Sequence, residues 1–234
     1  MSVFNPIVFA KGDEATAEVA QKVADTLFED IPRVDIPCSV EQRLDTGDEC
    51  LTKFVQDLDK FGAGYKGSTA SNDPRIILSG LGSANIKLRG EAGVIGMFRM
   101  IQYPAKYQKP VAIFRYGSGG FYNETGCEIV VRDGIEFAVI TQEMNLTDLT
   151  PYAQIAIDLA LHYGMNLYLS SKWTIAKSEA LFCERIESVF KEEAIQYQRQ
   201  LTDIRLARIA KDRKGGWISC FDNPNGDSGS DIAE

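Results

Sequence analysis

The chain has 234 residues, 44% of them hydrophobic and 25% charged, with a formal net charge of −8. That length suffices for one large domain or two small ones with a real core. The acidic balance argues against binding a nucleic-acid backbone, which needs clustered basic charge. No apolar run approaches the ~18 residues of a membrane span. Five scattered cysteines form no CxxC pair, which argues against a disulfide framework or a zinc cluster.

The opening residues, MSVFNPIVFAKGDE, carry no basic n-region and no long apolar stretch. No secretory signal is expected, and the expected compartment is cytoplasmic. IVFAKGD reads as a short buried strand running into a helix from about Asp13 to Phe28. A second helix is expected from Asp48 to Lys60, because Leu51, Phe54, Val55 and Leu58 share one face. RIILSG, Arg75 to Gly80, and PVAIFRYG, Pro110 to Gly117, read as strands. CEIVVRDGIEFAVITQE reads as a hairpin turning at Asp133-Gly134, a pair suited to a type I′ turn.

After the hairpin the period changes. Thr150-Pro151 reads as an N-cap and first helical position, with Gly164 as the stop. The single histidine, His162, falls near the end of that helix and reads as structural, so any mechanism must run without a histidine base. NLYLSSK returns to strand. Ser178 to Lys211 reads as a long polar helical stretch broken once, GGWISCF as a final strand, and DNPNGDSGSD as a loop. Strands alternating with helices put the chain in the α/β class.

Four stretches could carry chemistry. YKGSTASNDPR is a small-residue loop with Lys66, Thr69, Ser71 and Arg75 interleaved. SANIKLRGEAGVIGMFR holds Arg89 and Arg99, residues suited to bidentate capture of carboxylates. FRYGSGGFYN takes Arg115 out of an apolar strand into a glycine-rich turn, with Tyr122 beyond; it is not a GxGxxG. The fourth is the set Lys172, Asp203, Asp227 and Asp231. Oxygen-only carboxylates suit Mg²⁺ or Mn²⁺, and a lysine of lowered pKa can act as acid or base. Taken singly, each of these features is more often an ordinary surface feature.

Their order is more informative. KGDEATAEVAQKVADTLFED, YKGSTASND, SANIKLR, FRYGSGGFY, LYLSSKWTIAK, LTDIRLARIAK and NGDSGSD, in this sequence, resemble the NADP-dependent isocitrate dehydrogenases, above all their eukaryotic-type homodimeric branch. The resemblance runs from about residue 10 to residue 234 and is most specific near Lys172 and in GDSGSD. It implies a two-lobed α/β fold: residues 1–122 as a portion of the large domain with the substrate loops, and residues 123–234 as a small α/β dimerisation domain ending in the metal loop.

By the same resemblance, Arg89, Arg99 and Arg115 grip the substrate carboxylates, with Ser83 and Asn85 on the third. Tyr122 matches the proton donor and Lys172 the lysine supplied by the neighbouring subunit. Asp203 from the partner chain, with Asp227 and Asp231, matches the metal aspartates, for Mg²⁺ or Mn²⁺. Lys66, Thr69, Ser71 and Arg75 match the residues near the nicotinamide and its ribose. The implied partners are a small carboxylic acid and a second copy of the chain, with neither nucleic acid nor membrane.

Several positions depart from the family pattern. Lys87 stands where a small hydroxyl residue is usual, Trp173 replaces an amide residue, and Tyr116 follows Arg115 where a histidine is usual. The family chains continue well past SDIAE, into the region that binds the cofactor adenosine. Three readings follow. One is metal-dependent oxidative decarboxylation of isocitrate or a close 2-hydroxy acid with NADP or NAD, with a second polypeptide completing the large domain as one route. Another is a cofactor-independent decarboxylase or lyase on such an acid, and the third is a non-catalytic tricarboxylate-binding subunit.

Overall fold

The structure is a computed structural model that describes residues 5–70, 72–117, 122 and 124–234. It divides into two compact units, Met1–Gly93 and Val94–Glu234. The boundary expected after residue 122 falls inside the second unit, because the strand at Val111–Tyr116 is hydrogen-bonded to the strand at Trp217–Phe221.

In the first unit β1 (Ile7–Lys11) lies between β2 (Arg33–Pro37) and β3 (Gly64–Lys66), both parallel to it. A central parallel strand is buried on both faces, and β1 shows it. Val8 and Ala10 pack with Leu51, Phe54 and Val55 of α3 (Glu49–Phe61). Phe9 points the other way, onto Ala20 and Ala24 of α1 (Glu14–Leu27). Between β2 and α3 runs α2 (Val40–Thr46). Its Arg43 is fully buried and donates to Asp48 at 2.7 and 3.2 Å and to the Gly82 carbonyl at 2.9 Å.

The segment Arg75–Gly80, expected as a strand, is instead a helix. In α4 (Pro74–Ser79) the Asp73 carboxylate caps the start by accepting from the Arg75 amide at 2.8 Å, and Pro74 supplies the fixed φ of a first helical position. That Asp-Pro signal outweighs the β-branched run behind it. The unit closes with α5 (Ala84–Glu91).

The second unit is built on a five-stranded sheet. β4 (Gly96–Ile101) is an antiparallel edge beside β5 (Val111–Tyr116), followed by β10 (Trp217–Phe221), β8 (Asn166–Ser171) and β9 (Tyr197–Leu201), all parallel. Every residue of β5 and β10 is buried. One face is covered by α6 (Leu149–Tyr163) and α7 (Lys177–Glu192), which bring Tyr152, Ile157, Phe182, Ile186 and Phe190 into the larger core. The other carries Ile209 of α8 (Thr202–Lys211) and Ala233 of α9 (Asn223–Ala233).

The hairpin is as expected: β6 (Glu124–Arg132) and β7 (Ile135–Gln142) turn at Asp133 and Gly134, both at positive φ, 52° and 75°. Helix α6 starts from Asp148, two residues before the expected cap, and ends at Gly164 in the left-handed region as expected. Two further expectations fail. The break in the polar stretch after Ser178 is a whole strand, β9, whose polar outer residues hide it. The DNPNGDSGSD loop is helix α9, capped by Asp222 accepting from the Asn225 amide at 3.0 Å; its glycines mask the helical pattern.

The buried Arg43–Asp48 pair gives a test. Asp48→Asn keeps the size and left-handed tolerance of the side chain but leaves a buried guanidinium without its counter-charge. It is expected to cost about 3–5 kcal/mol, read as faster amide exchange in α2 and α3. A loss below ~1 kcal/mol contradicts this account.

Candidate active site

In a sheet of parallel strands, ligand-handling residues collect at the carboxyl ends of the strands. In the second unit these ends hold Arg115 on β5, Asp222 and Asn223 after β10, Lys172 after β8, and Asp203 after β9.

Arg115 is the centre of the first group. Its side chain is 11% exposed. Its Nε donates to Asn223 Oδ1 at 2.7 Å, and its Nη1 pairs with the Asp227 carboxylate. Tyr122 lies beside it, with the guanidinium carbon 5.7 Å from the ring centroid and the phenol 3.5 Å from the second Asp227 oxygen. Helix α9 reaches β5 because residue 226 is glycine: a Cβ there would lie 2.7 Å from the Arg115 Cβ. Asp231 is one turn beyond Asp227. Arg99, on β4, pairs with Glu234 at 2.9 Å and approaches Asp231 to 3.8 Å. Arg99, Arg115, Tyr122, Asp227 and Asp231 are thus gathered on or against α9.

Lys172 and Asp203 form a second group. They pair with each other at 3.1 Å, and the ammonium holds the Asp203 carboxyl below its usual range. Lys172 follows β8, two strand positions from β5, and Asp203 follows β9, three positions away. At ~4.8 Å per strand, those are separations of roughly 10 and 14 Å from Arg115.

Between the groups lies a carboxyl pair that the sequence reading missed. Asp222 is 5% exposed and accepts from the Asn225 side-chain amide at 2.6 Å. Burial pushes its carboxyl up to about 7, helped by Glu179. Glu179 in turn accepts from the Lys172 amide, and its carbonyl accepts from Ser171 Oγ at 3.0 Å. Asn223 and Gly226 were missed too. The signal for Asp222, Asn223 and Gly226 was the Asp-Asn-Pro start of α9, read as a loop.

The remaining candidates belong to the first unit. Lys66 ends β3 and donates to the Gly67 carbonyl at 2.8 Å. Burial lowers its pKa, and neighbouring Arg89 adds to the effect. Thr69 Oγ1 is buried without a hydrogen-bond partner. Ser83 stands at the N-cap position of α5 without a side-chain capping bond, with Asn85 in the first turn and Arg89 four residues on, one face of the helix. Arg75 is bound to Asp73 at 2.9 Å and Glu41 at 3.0 Å, which raises its pKa. Ser71 lies outside the described residues.

The α9 donors suit a hard divalent cation. Asp227 and Asp231 offer carboxylate oxygens one turn apart, both partly exposed, and Mg²⁺ commonly binds through one or two carboxylates plus water and substrate oxygens. Among the described residues no three His, Cys, Asp or Glu side chains converge as a metal cluster, so Asp203 stands apart from the other two within one chain.

Two tests follow. Gly226→Ala, which overpacks β5 against α9, is expected to cost about 1–3 kcal/mol, read from denaturant unfolding. An unchanged stability would place α9 away from Arg115. The second is a pH dependence. The raised Asp222 carboxyl keeps a proton in the folded chain that the unfolded chain has released above pH ~4. Its stabilisation is complete below that pH and is lost as pH rises through about 7. Asp222→Asn is expected to remove that fall, and an identical curve refutes the assignment.

The sequence model of the isocitrate/isopropylmalate dehydrogenase family matches residues 85–234. The peroxisomal NADP isocitrate dehydrogenase of Candida tropicalis is 28% identical over 277 aligned residues, covering 99% of this chain and 67% of that protein. The mitochondrial NADP enzyme of Saccharomyces cerevisiae is 25% identical, with 99% and 65% covered. The chain therefore spans about two thirds of the length of these curated relatives. Among solved structures, isocitrate dehydrogenase from Ostreococcus tauri, in complex with isocitrate and magnesium(II), superposes with a TM-score of 0.80 at 20% identity, over 98% of this chain and 70% of that one. A β-decarboxylating dehydrogenase from Thermococcus kodakarensis gives 0.72 at 18% identity, over 98% and 68%. The expected two-lobed α/β architecture holds, and the chain belongs to the isocitrate/isopropylmalate dehydrogenase family.

Proposed function

We propose that the chain carries out metal-dependent oxidative decarboxylation of isocitrate or a closely related 2-hydroxy acid, with NADP or NAD as hydride acceptor. The observation that carries this reading is the grouping of Arg115, Tyr122 and Asp227 at the carboxyl ends of β5 and β10. A carboxylate-binding cation, a proton donor and a metal-type carboxylate stand there within contact of one another.

Each side chain has a task. Arg115 exchanges Asp227 for a substrate carboxylate, with its other nitrogen still held by Asn223, so the incoming charge meets a fixed guanidinium. Arg99 makes the same exchange with Glu234 at the edge. Ser83, Asn85 and Arg89 are assigned to the remaining carboxylate and Lys66, Thr69, Ser71 and Arg75 to the cofactor. Asp227 and Asp231 would hold Mg²⁺ or Mn²⁺. A metal held there would supply Lewis-acid polarisation of the substrate hydroxyl and its neighbouring carboxylate, and a bound nicotinamide would supply a hydride acceptor. Tyr122 delivers a proton to the carbon that loses CO₂, and Lys172 handles the proton at the substrate hydroxyl.

On the same reading the chain works as a homodimer with shared sites, in which Lys172 and Asp203, two and three strands from Arg115, would serve the neighbouring subunit's centre.

The full chain, with Mg²⁺ or Mn²⁺ and isocitrate, is expected to reduce NADP or NAD only when metal is present, followed by nicotinamide absorbance and product mass. Product without cofactor would favour a non-redox decarboxylase or lyase, and binding without turnover a tricarboxylate-binding subunit; either outcome refutes the proposal. Tyr122→Phe should lower kcat by about 10²–10⁴-fold. For the shared site, mixing Lys172→Ala with Asp227→Asn chains should recover part of the activity through heterodimers. No recovery, or a monomer in solution, counts against it.

A further inference from the structure

Lys172 and Asp203 follow the carboxyl ends of β8 and β9, parallel neighbours in which Ser171 stands opposite Leu201. Their 3.1 Å ion pair is one link between those ends. A second link is made by residues outside the site described above. Trp173 follows Lys172 directly, in a turn where the Ile175 and Ala176 amides donate to the Lys172 carbonyl at 2.9 and 3.2 Å. Its ring packs against the larger core of the second unit, and the Arg199 guanidinium carbon stands 4.1 Å from the ring centroid.

Arg199 lies on β9, four residues before Asp203. Its Nη1 donates to Glu187 Oε2 at 2.9 Å. Tyr197, two positions back on the same strand face, donates to Glu187 Oε1 at 3.0 Å. Glu187 is a buried residue of α7, so both of its oxygens are spent on β9. A guanidinium tied to a buried carboxylate and covered by an indole has little freedom to drift.

The Lys172–Asp203 pair is a weaker link. Its side chains are 34% and 60% exposed, and an exposed ion pair contributes little. On the proposed function it also parts, when Asp203 turns to the metal and Lys172 to the substrate. Trp173 and Arg199 have no such task. We propose that Trp173 is a positioning residue: clamped on Arg199, it keeps Lys172 in register with Asp203 when their ion pair opens. The role in turnover rests on the proposed function of Lys172, whereas the clamp rests on the geometry alone.

The test uses the full-length chain in two arms. In the kinetic arm, Trp173→Leu and Arg199→Gln should each lower kcat roughly tenfold or more. The KM for isocitrate should stay within about twofold, because the arginines that bind it are untouched. The double variant should be no slower than either single one, the mark of one shared contact. Trp173→Phe, which keeps an aromatic face, should retain about half of kcat. In the labelling arm, without substrate, trace acetylation of Lys172 is measured by mass spectrometry against exposed Lys191. It should quicken roughly threefold in Trp173→Leu and Arg199→Gln and stay unchanged in Trp173→Phe. Because Trp173→Leu also removes core packing, Arg199→Gln is the second variant, in which Glu187 keeps Tyr197. Additive losses, a Trp173→Phe chain as impaired as Trp173→Leu, or Lys172 labelling unchanged in Arg199→Gln would each overturn the proposal. If the unmodified chain does not turn over isocitrate, the proposed function fails, and the labelling arm alone decides the clamp.

Discussion

One guanidinium ties the strand and the helix on which the candidate site rests. Arg115 leaves the end of a fully buried strand and must find partners where little water reaches it. It finds them on α9, in Asn223 and Asp227, and beneath it the helix needs glycine at 226 to come close enough. The position of α9 therefore follows from the needs of a buried cation. With α9 fixed, Asp227 and Asp231 are fixed too, one turn apart on its accessible side. Asp222 completes the attachment by capping the helix where β10 ends.

The electrostatics of that edge are arranged in pairs. Arg115 faces Asp227, Arg99 faces Glu234 and Asp231, and Lys172 faces Asp203. An acidic substrate and a divalent cation would take one member of each pair, carboxylates going to the arginines and metal to the aspartates. On the proposed function the protein's own ion pairs would stand in for the charges of the ligands, and the two ligands should assist each other. A substrate carboxylate on Arg115 would release Asp227 for the metal, and metal on Asp227 would release Arg115 for the substrate. Buried Asp222 and half-buried Glu179 join the two groups through α9 and α7.

Much of this was legible in the residues. The apolar spacing of Leu51, Phe54 and Val55, the Asp133-Gly134 turn and the Gly164 stop are local signals with local causes, and they mark elements the structure contains. Arg115, Tyr122, Asp227 and Asp231 were legible as candidates because their residue types and order resemble those of a known family. What was hidden depended on distant contacts. Helix α9 looked like a loop because Gly226 and Gly229 lower helix propensity, yet both let it pack against β5 and Phe221. Strand β9 was hidden because an edge strand with polar outer residues has no clean alternation. Asn223, which holds Arg115, has no significance in sequence until the helix that carries it is recognised.

The mutual release of Arg115 and Asp227 is best tested by titrating the full-length chain with Mn²⁺ and following the free ion by electron paramagnetic resonance, with and without isocitrate. Linkage requires that a substrate which frees Asp227 tighten the metal, and the metal the substrate, by the same factor. The account predicts at least a tenfold tightening of Mn²⁺ by isocitrate, lost in Asp227→Asn. Equal Mn²⁺ affinity with and without isocitrate would contradict it.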